Sequence, residues 1–121
     1  MGPTETVAAY GAAWNEPDEA KRRELLARSW SVDGFFHDPQ GRVEGRDALL
    51  AHIAGFQQAL PGHRIDLTSA IHSYDRYVRF AWKIFDGSNG VVLEGVDFGE
   101  FDGDGKLKSI VGFWGPLPEA E

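Results

Sequence analysis

Cysteine is absent from the chain, which excludes disulfides, thiolate nucleophiles and thiolate metal sites and leaves any redox chemistry to a cofactor. Long apolar runs are absent too, since none approaches the roughly 20 residues of a membrane span. The opening MGPTETVAAYG has no basic segment leading into an apolar one, as a secretion signal would, so the expected location is cytoplasmic. Positive charge is scarce. Twelve basic against 19 acidic residues give a formal charge of -7, which repels phosphate backbones and anionic membranes. The one basic run, Lys21-Arg22-Arg23, stands between Glu19 and Glu24 in a helical pattern and reads as a solvated face. Neither nucleic acid nor a membrane is an expected partner.

Serine-nucleophile signatures and glycine-rich phosphate loops are also missing, and the glycines fall where turns, bulges or close packing account for them. His37, His52, His63 and His72 have no spacing that places two on one element face. Asp102-Gly103-Asp104-Gly105 lacks the later ligands of a calcium loop. No metal and no other cofactor is expected.

What the chain does have is aromatic and apolar mass. With 121 residues, 42% of them hydrophobic, eight Phe and four Trp, residues 1–121 suffice for one domain burying roughly two thirds of its unfolded surface. Val7, Tyr10 and Trp14 stand at the spacing of one helix face over residues 4–15, so Tyr10 points to the core. Asn15-Glu16-Pro17-Asp18-Glu19 ends that helix and starts a second, whose stripe is Leu25, Leu26 and Trp30. A strand of about five residues closes at Asp38-Pro39, and Gln40-Gly41 turns the chain into a short segment, Arg42-Val43-Glu44. A third helix over 46–59 carries Leu49, Ile53, Phe56 and Leu60 and stops at Pro61-Gly62. Strand patterns follow over 64–73, 76–86, 90–101 and 106–114, with the turns DGSNG and DGDG joining the last three as hairpins. The order predicts an α+β fold with helices against one face of an antiparallel meander.

Strand register sharpens this. Pairing Asp86 with Val91 sets Trp82 opposite Gly95 and Phe80 opposite Asp97, and pairing Phe101 with Lys106 sets Asp97 opposite Ile110. One sheet face then carries Val78, Phe80, Trp82, Ile84, Val91, Leu93, Gly95, Ile110, Gly112, Trp114 and a single carboxyl, Asp97. A lone carboxyl on an apolar face must find a cation or keep its proton with a raised pKa. Arg79 and Lys83 alternate to the other side. A protonated Asp97 would donate to a developing oxyanion; the alternative is an acid at a cavity mouth, wet or paired with a loop arginine. Tyr10 would either supply a second donor beside it or merely bond a carbonyl. Asp38, before Pro39, is a turn-former by type. Because Gly34, Phe36 and Asp38 share a strand face, Asp38 also reaches a cavity rim, where a partly solvated carboxylate can act as a general base.

The segments AYGAAWNEPD, FFHDPQGRVEGRDALLAHI and EGVDFGEFDGDGKLKSIVGFWG together resemble the nuclear transport factor 2-like superfamily, in its SnoaL-like and ketosteroid isomerase-like branches, over almost the whole chain. The resemblance implies a cone-shaped barrel, a curved and mostly antiparallel sheet wrapped on three helices, with a hydrophobic pocket at its wide end. It implies that Tyr10 in YGAAWN and Asp97 in EGVDF form an oxyanion hole, and that Asp38 in DPQG is the base that moves a proton. Trp14, Trp30, Phe36, Ile53, Phe56, Phe80, Trp82 and Trp114 are the expected pocket residues. The expected function is cofactor-independent proton transfer next to a carbonyl, on a small hydrophobic ketone or a polyketide- or steroid-like molecule. A non-catalytic small-molecule binding module and a SnoaL-type cyclase are the alternatives. The outer sheet face, with Tyr77, Ala81, Phe85, Val96, Phe98, Val111 and Phe113, is too apolar for a comfortable solvent surface and suggests a homodimer, as the family often forms.

Overall fold

A computed structural model of the chain describes residues 1–120. Helix α1 (Pro3–Asn15) begins with proline in its first turn, where the missing N–H costs nothing, and the Glu5 side chain accepts the Gly2 amide at 2.6 Å. Its stripe of Val7, Tyr10, Ala13 and Trp14 is buried. Helix α2 (Glu19–Ser29) starts at Asp18, whose carboxylate accepts the amides of Ala20 and Lys21.

The junction of these helices is held from inside by Arg22. Its Nη1 donates to the carbonyls of Glu16 and Pro17 and to Gln57 Oε1, while Gln57 Nε2 donates to the carbonyls of Trp14 and Glu16. The basic run is therefore not wholly solvated: Lys21 and Arg23 are exposed, but Arg22 is buried. The last carbonyls of α1 have no partner within the helix; Gln57 supplies one to Trp14, and the guanidinium reaches the carbonyls of Glu16 and Pro17 just beyond the helix end.

Strand β1 (Trp30–Asp38) follows α2 without a loop, which makes it nine residues long, and turns into β2 (Gly41–Glu44). After α3 (Arg46–Ala59) come β3 (Arg64–Leu67), β4 (His72–Tyr74), β5 (Tyr77–Phe85), β6 (Val91–Phe101) and β7 (Leu107–Trp114). The sheet order is β2-β1-β7-β6-β5-β3, with β4 also on β5. Every pairing is antiparallel except β1 with β7, which is parallel. The pattern over 64–73 is two strands rather than one. Between them the Thr68 amide donates to the Ala81 carbonyl, and the Ala81 amide donates to the Ser69 hydroxyl at 2.8 Å. A side chain thus replaces one rung of the ladder.

Phe80 pairs with Asp97 and Trp82 with Gly95, as the hairpin turn predicts, but a shift after Ile84 sets Phe85 opposite Val91 and leaves Val91 exposed. In the second hairpin Asp97 faces Gly112, not Ile110. The turn closes where the Asp102 amide donates to the Lys106 carbonyl, and an irregularity between Glu100 and Phe101 adds the rest of the offset. Two positions of slip keep every residue on its face. They nevertheless replace a bulky neighbour of Asp97 by a bare backbone.

The three helices cover one face of the curved, mostly antiparallel sheet, an α+β architecture. Val7, Leu26, Trp30, Leu49, Ile53, Leu107 and Ile110 have no exposed surface in the core between them. The Asn15 side chain donates to the Ile65 carbonyl and accepts the Ile65 amide, which ties the end of α1 to β3. No helix among the described residues is long and apolar enough to cross a membrane.

Candidate functional site

A cavity of about 360 Å³ opens between the helices and the inner sheet face. Helix α1 contributes Tyr10 and Trp14, β1 contributes Phe36 and Asp38, α3 contributes His52 and Phe56, and the sheet adds Phe80, Trp82, Asp97, Gly112 and Trp114. Tyr10 stacks on Trp30 at 5.4 Å, and Phe36 and Phe56 pack around the Trp14 ring at 5.5 and 5.6 Å. Edge and tilted contacts of this kind fix the orientation of the rings.

Asp97 is 7% exposed, and its Oδ1 accepts the Trp82 indole N–H at 3.0 Å. That bond depends on glycine. A Cβ at Gly95 would stand 2.5 Å from Trp82 Cζ2 and 2.2 Å from the Phe113 carbonyl oxygen, so the indole can lie across β6 only because the position is bare. Burial pushes the Asp97 carboxyl up to about 7; the Trp82 donor opposes the shift and the Asp38 charge adds to it. No arginine or lysine lines the cavity, so a proton rather than a cation relieves the buried acid. Below about pH 7 the acid holds a proton, and with Oδ1 accepting the indole that proton falls on Oδ2.

Tyr10 is 3% exposed, and burial raises its phenol well above the ordinary range; the Asp97 charge adds to this, Trp14 opposes it, and Asp38 adds again. It is a hydrogen-bond donor. Asp38 is half-buried at the cavity rim, and its Oδ1 accepts the Gln40 amide at 2.9 Å, the bond of an Asx turn. Turn-forming and cavity-lining thus coexist in one side chain. Phe36 pairs with Ile110 and His37 with Val111 in the parallel ladder, which carries Asp38 alongside Gly112, and Gly112 pairs with Asp97. A Cβ on Gly112 would stand 2.9 Å from Asp97 Oδ1 and 3.5 Å from Asp38 Cβ. The two carboxyls therefore flank a slot floored by glycine.

Of the expected pocket residues, Trp14, Phe36, Phe56, Phe80, Trp82 and Trp114 line the cavity. Trp30 and Ile53 do not. Both are wholly buried behind its wall, Trp30 beneath the Tyr10 ring and Ile53 on the core side of α3. Sequence spacing identified the buried stripe but could not separate core from cavity lining within it. His52, Gln40 and Gly112 line the cavity without having been expected there. The signal for His52 is its position, three residues after Leu49 and four before Phe56 on α3. No group of three or more His, Cys, Asp or Glu side chains gathers at metal-binding distance among the described residues.

A mixed, curved sheet covered by three helices, with two acids and a phenol lining an aromatic cavity, defines the class of fold. The SnoaL-like domain family matches residues 7–110, and the chain belongs to that family. No curated protein matches it. Among solved structures it is similar to a provisionally assigned isomerase of the SnoaL-like family from Agrobacterium tumefaciens, with 28% identity, a TM-score of 0.88 and coverage of 96% of this chain and 100% of that one. A nuclear transport factor 2-like protein of unknown function from Cytophaga hutchinsonii shares the fold at 11% identity, with a TM-score of 0.72 and coverage of 96% and 92%. A provisionally assigned polyketide cyclase from Sinorhizobium meliloti does so at 14% identity, with a TM-score of 0.70 and coverage of 89% and 93%.

Proposed function

We propose that the protein is a cofactor-independent acid-base enzyme that moves a proton next to a carbonyl of a small hydrophobic molecule. Asp38 takes a proton from the carbon beside the carbonyl, and the electron pair of that C–H bond becomes the enolate. Tyr10 and the Oδ2–H of Asp97 donate to the enolate oxygen. Asp38 then returns the same proton to another carbon, so the product is an isomer and nothing is consumed. The observation that carries this reading is the slot over Gly112, with a partly solvated carboxylate on one side and a buried, proton-retaining carboxyl on the other. A half-buried acid at the rim beside a buried acid that holds its proton supplies the two groups of general acid-base chemistry. Likeness to the Agrobacterium protein, provisionally assigned as an isomerase, points the same way.

One observation favours a second reading, a binding module without chemistry: the bond from the Gln40 amide to Asp38 is what a pure turn-former makes. Asp38→Asn separates the two, because asparagine keeps the turn and loses the base. The test is the ultraviolet rise of a conjugated enone formed from an unconjugated steroid enone, in wild type and Asp38→Asn. Turnover by wild type that is lost in the variant supports the proposal; equal rates in both overturn the role of Asp38. If neither protein turns the enone over while both bind it, the binding module is favoured.

A further inference from the structure

His52 is a cavity residue that the proposed reaction does not use. Its ring stands edge-on to Trp14 at 5.8 Å and tilted against Phe36 at 5.4 Å, so aromatic neighbours on two sides set its orientation. Neither ring nitrogen bonds another protein group among the described residues, and neither belongs to the side-chain atoms sealed from solvent without a partner, which are Arg22 Nε and Trp30 Nε1. His52 is half-buried, and side-chain polar atoms that leave solvent ordinarily pair with protein groups or water. Here they stay open at the cavity.

We infer that His52 is a second polar recognition point, and that the ligand carries a second oxygen function, hydroxyl or carbonyl, apart from the one at Tyr10 and Asp97. A neutral imidazole has one donor and one acceptor nitrogen, which suits either oxygen. The cavity lining contains Asp38 and Asp97 but no lysine or arginine, which favours a neutral oxygen over a carboxylate or phosphate. Trp14 borders both polar points, its ring 6.4 Å from that of Tyr10 and 5.8 Å from that of His52. A flat ligand lying along Trp14 presents one oxygen to each. A ligand with a single oxygen strips water from His52 and returns nothing, which costs the unmade bond. The assignment of the first oxygen rests on the function proposed above; that of the second rests on His52 alone.

The test uses 2-naphthol and 2,6-dihydroxynaphthalene as probes, titrated calorimetrically into wild type, His52→Phe, His52→Gln and Tyr10→Phe. Wild type should bind the diol about tenfold more tightly than the mono-ol, as one added buried hydrogen bond implies. The preference should vanish in His52→Phe, where 2-naphthol should gain affinity because it no longer strips an imidazole of water, and should survive in part in His52→Gln. Equal affinities in wild type overturn the inference, as does a preference that persists in His52→Phe, because His52 then only packs. Failure of both probes to bind wild type overturns it too. If 2-naphthol binding is indifferent to Tyr10→Phe while the diol preference still depends on His52, the oxyanion reading falls and the role of His52 stands.

Discussion

At the scale of single residues, the buried acid makes the sharpest claims. The folded Asp97 keeps its proton up to about pH 7, against 3.8 for an ordinary aspartate. The folded chain therefore holds more protons than the unfolded one between about pH 4 and pH 7, and stability falls as pH rises through that window. The loss amounts to about 4 kcal/mol and is complete above the folded pKa. Urea unfolding of wild type and Asp97→Asn across pH 4.5–7.5 measures it: wild type should weaken relative to the variant as pH rises, whereas parallel curves would show an Asp97 that ionises normally. The groups facing Asp97 are Tyr10 from α1, Asp38 from β1 and Trp82 from β5. Of these, the indole donor favours the ionised carboxylate, so Trp82→Phe should move the alkaline fall in turnover to higher pH. An unmoved profile would mean that Trp82 only packs. The lone carboxyl on its apolar face was legible in strand alternation. The indole bond was not, since it depends on a rotamer and on the bare space at Gly95. His52 was legible in helical spacing, but comparing histidines only with one another as metal ligands passes over it.

At the scale of elements, local signals carried most of the architecture. Helix α3 runs over 46–59 as its stripe and the Pro61-Gly62 stop predict, and the DGSNG hairpin sets the expected register beside Asp97. What local signals could not carry is the parallel pairing of β1 with β7, strands joined only through the rest of the fold. That pairing is what brings Asp38 beside Gly112. Nor could the DGDG turn reveal its two-residue offset, which substitutes Gly112 for Ile110 opposite Asp97. The slot between the carboxyls is thus a property of two long-range registers. Gly112→Ala tests it directly, because the added methyl would stand 2.9 Å from Asp97 Oδ1, so the carboxyl held by the Trp82 indole must shift. Overpacking should cost about 1–3 kcal/mol of stability. Turnover should fall by at least roughly tenfold from displacement of Asp97 relative to the substrate. A variant that loses stability but keeps its turnover would show that the slot is not where the reacting atoms sit.

At the scale of the whole molecule, the outer sheet face has yet to find its partner. Strand register lines up Ala81, Val96 and Phe113 in one row and Phe98 and Val111 in the next, beside Arg79. Tyr77 stacks on Phe98 at 5.8 Å and continues the patch toward Tyr74. Val96, Phe98 and Phe113 are each more than 40% exposed. Lys83 and Glu94 stand at one end of these rows and Arg76, Glu100 and Lys108 at the other, while Arg79 flanks Phe98 on β5 and donates to His72 Nδ1 at 2.9 Å. An apolar centre with a charged rim is the anatomy of a protein interface. A two-fold partner presenting the same face would match each row against itself. We propose that the chain forms such a homodimer, burying this face while the cavity stays open on the opposite side of the sheet. Sedimentation equilibrium at micromolar concentration should give twice the 13.4 kDa chain mass. Phe98→Glu, which places a charge at the patch centre and touches no cavity residue, should give the single-chain mass with turnover per chain retained. A wild-type monomer would leave the face without this partner, and loss of turnover in a folded Phe98→Glu monomer would mean that dimerisation also shapes the cavity.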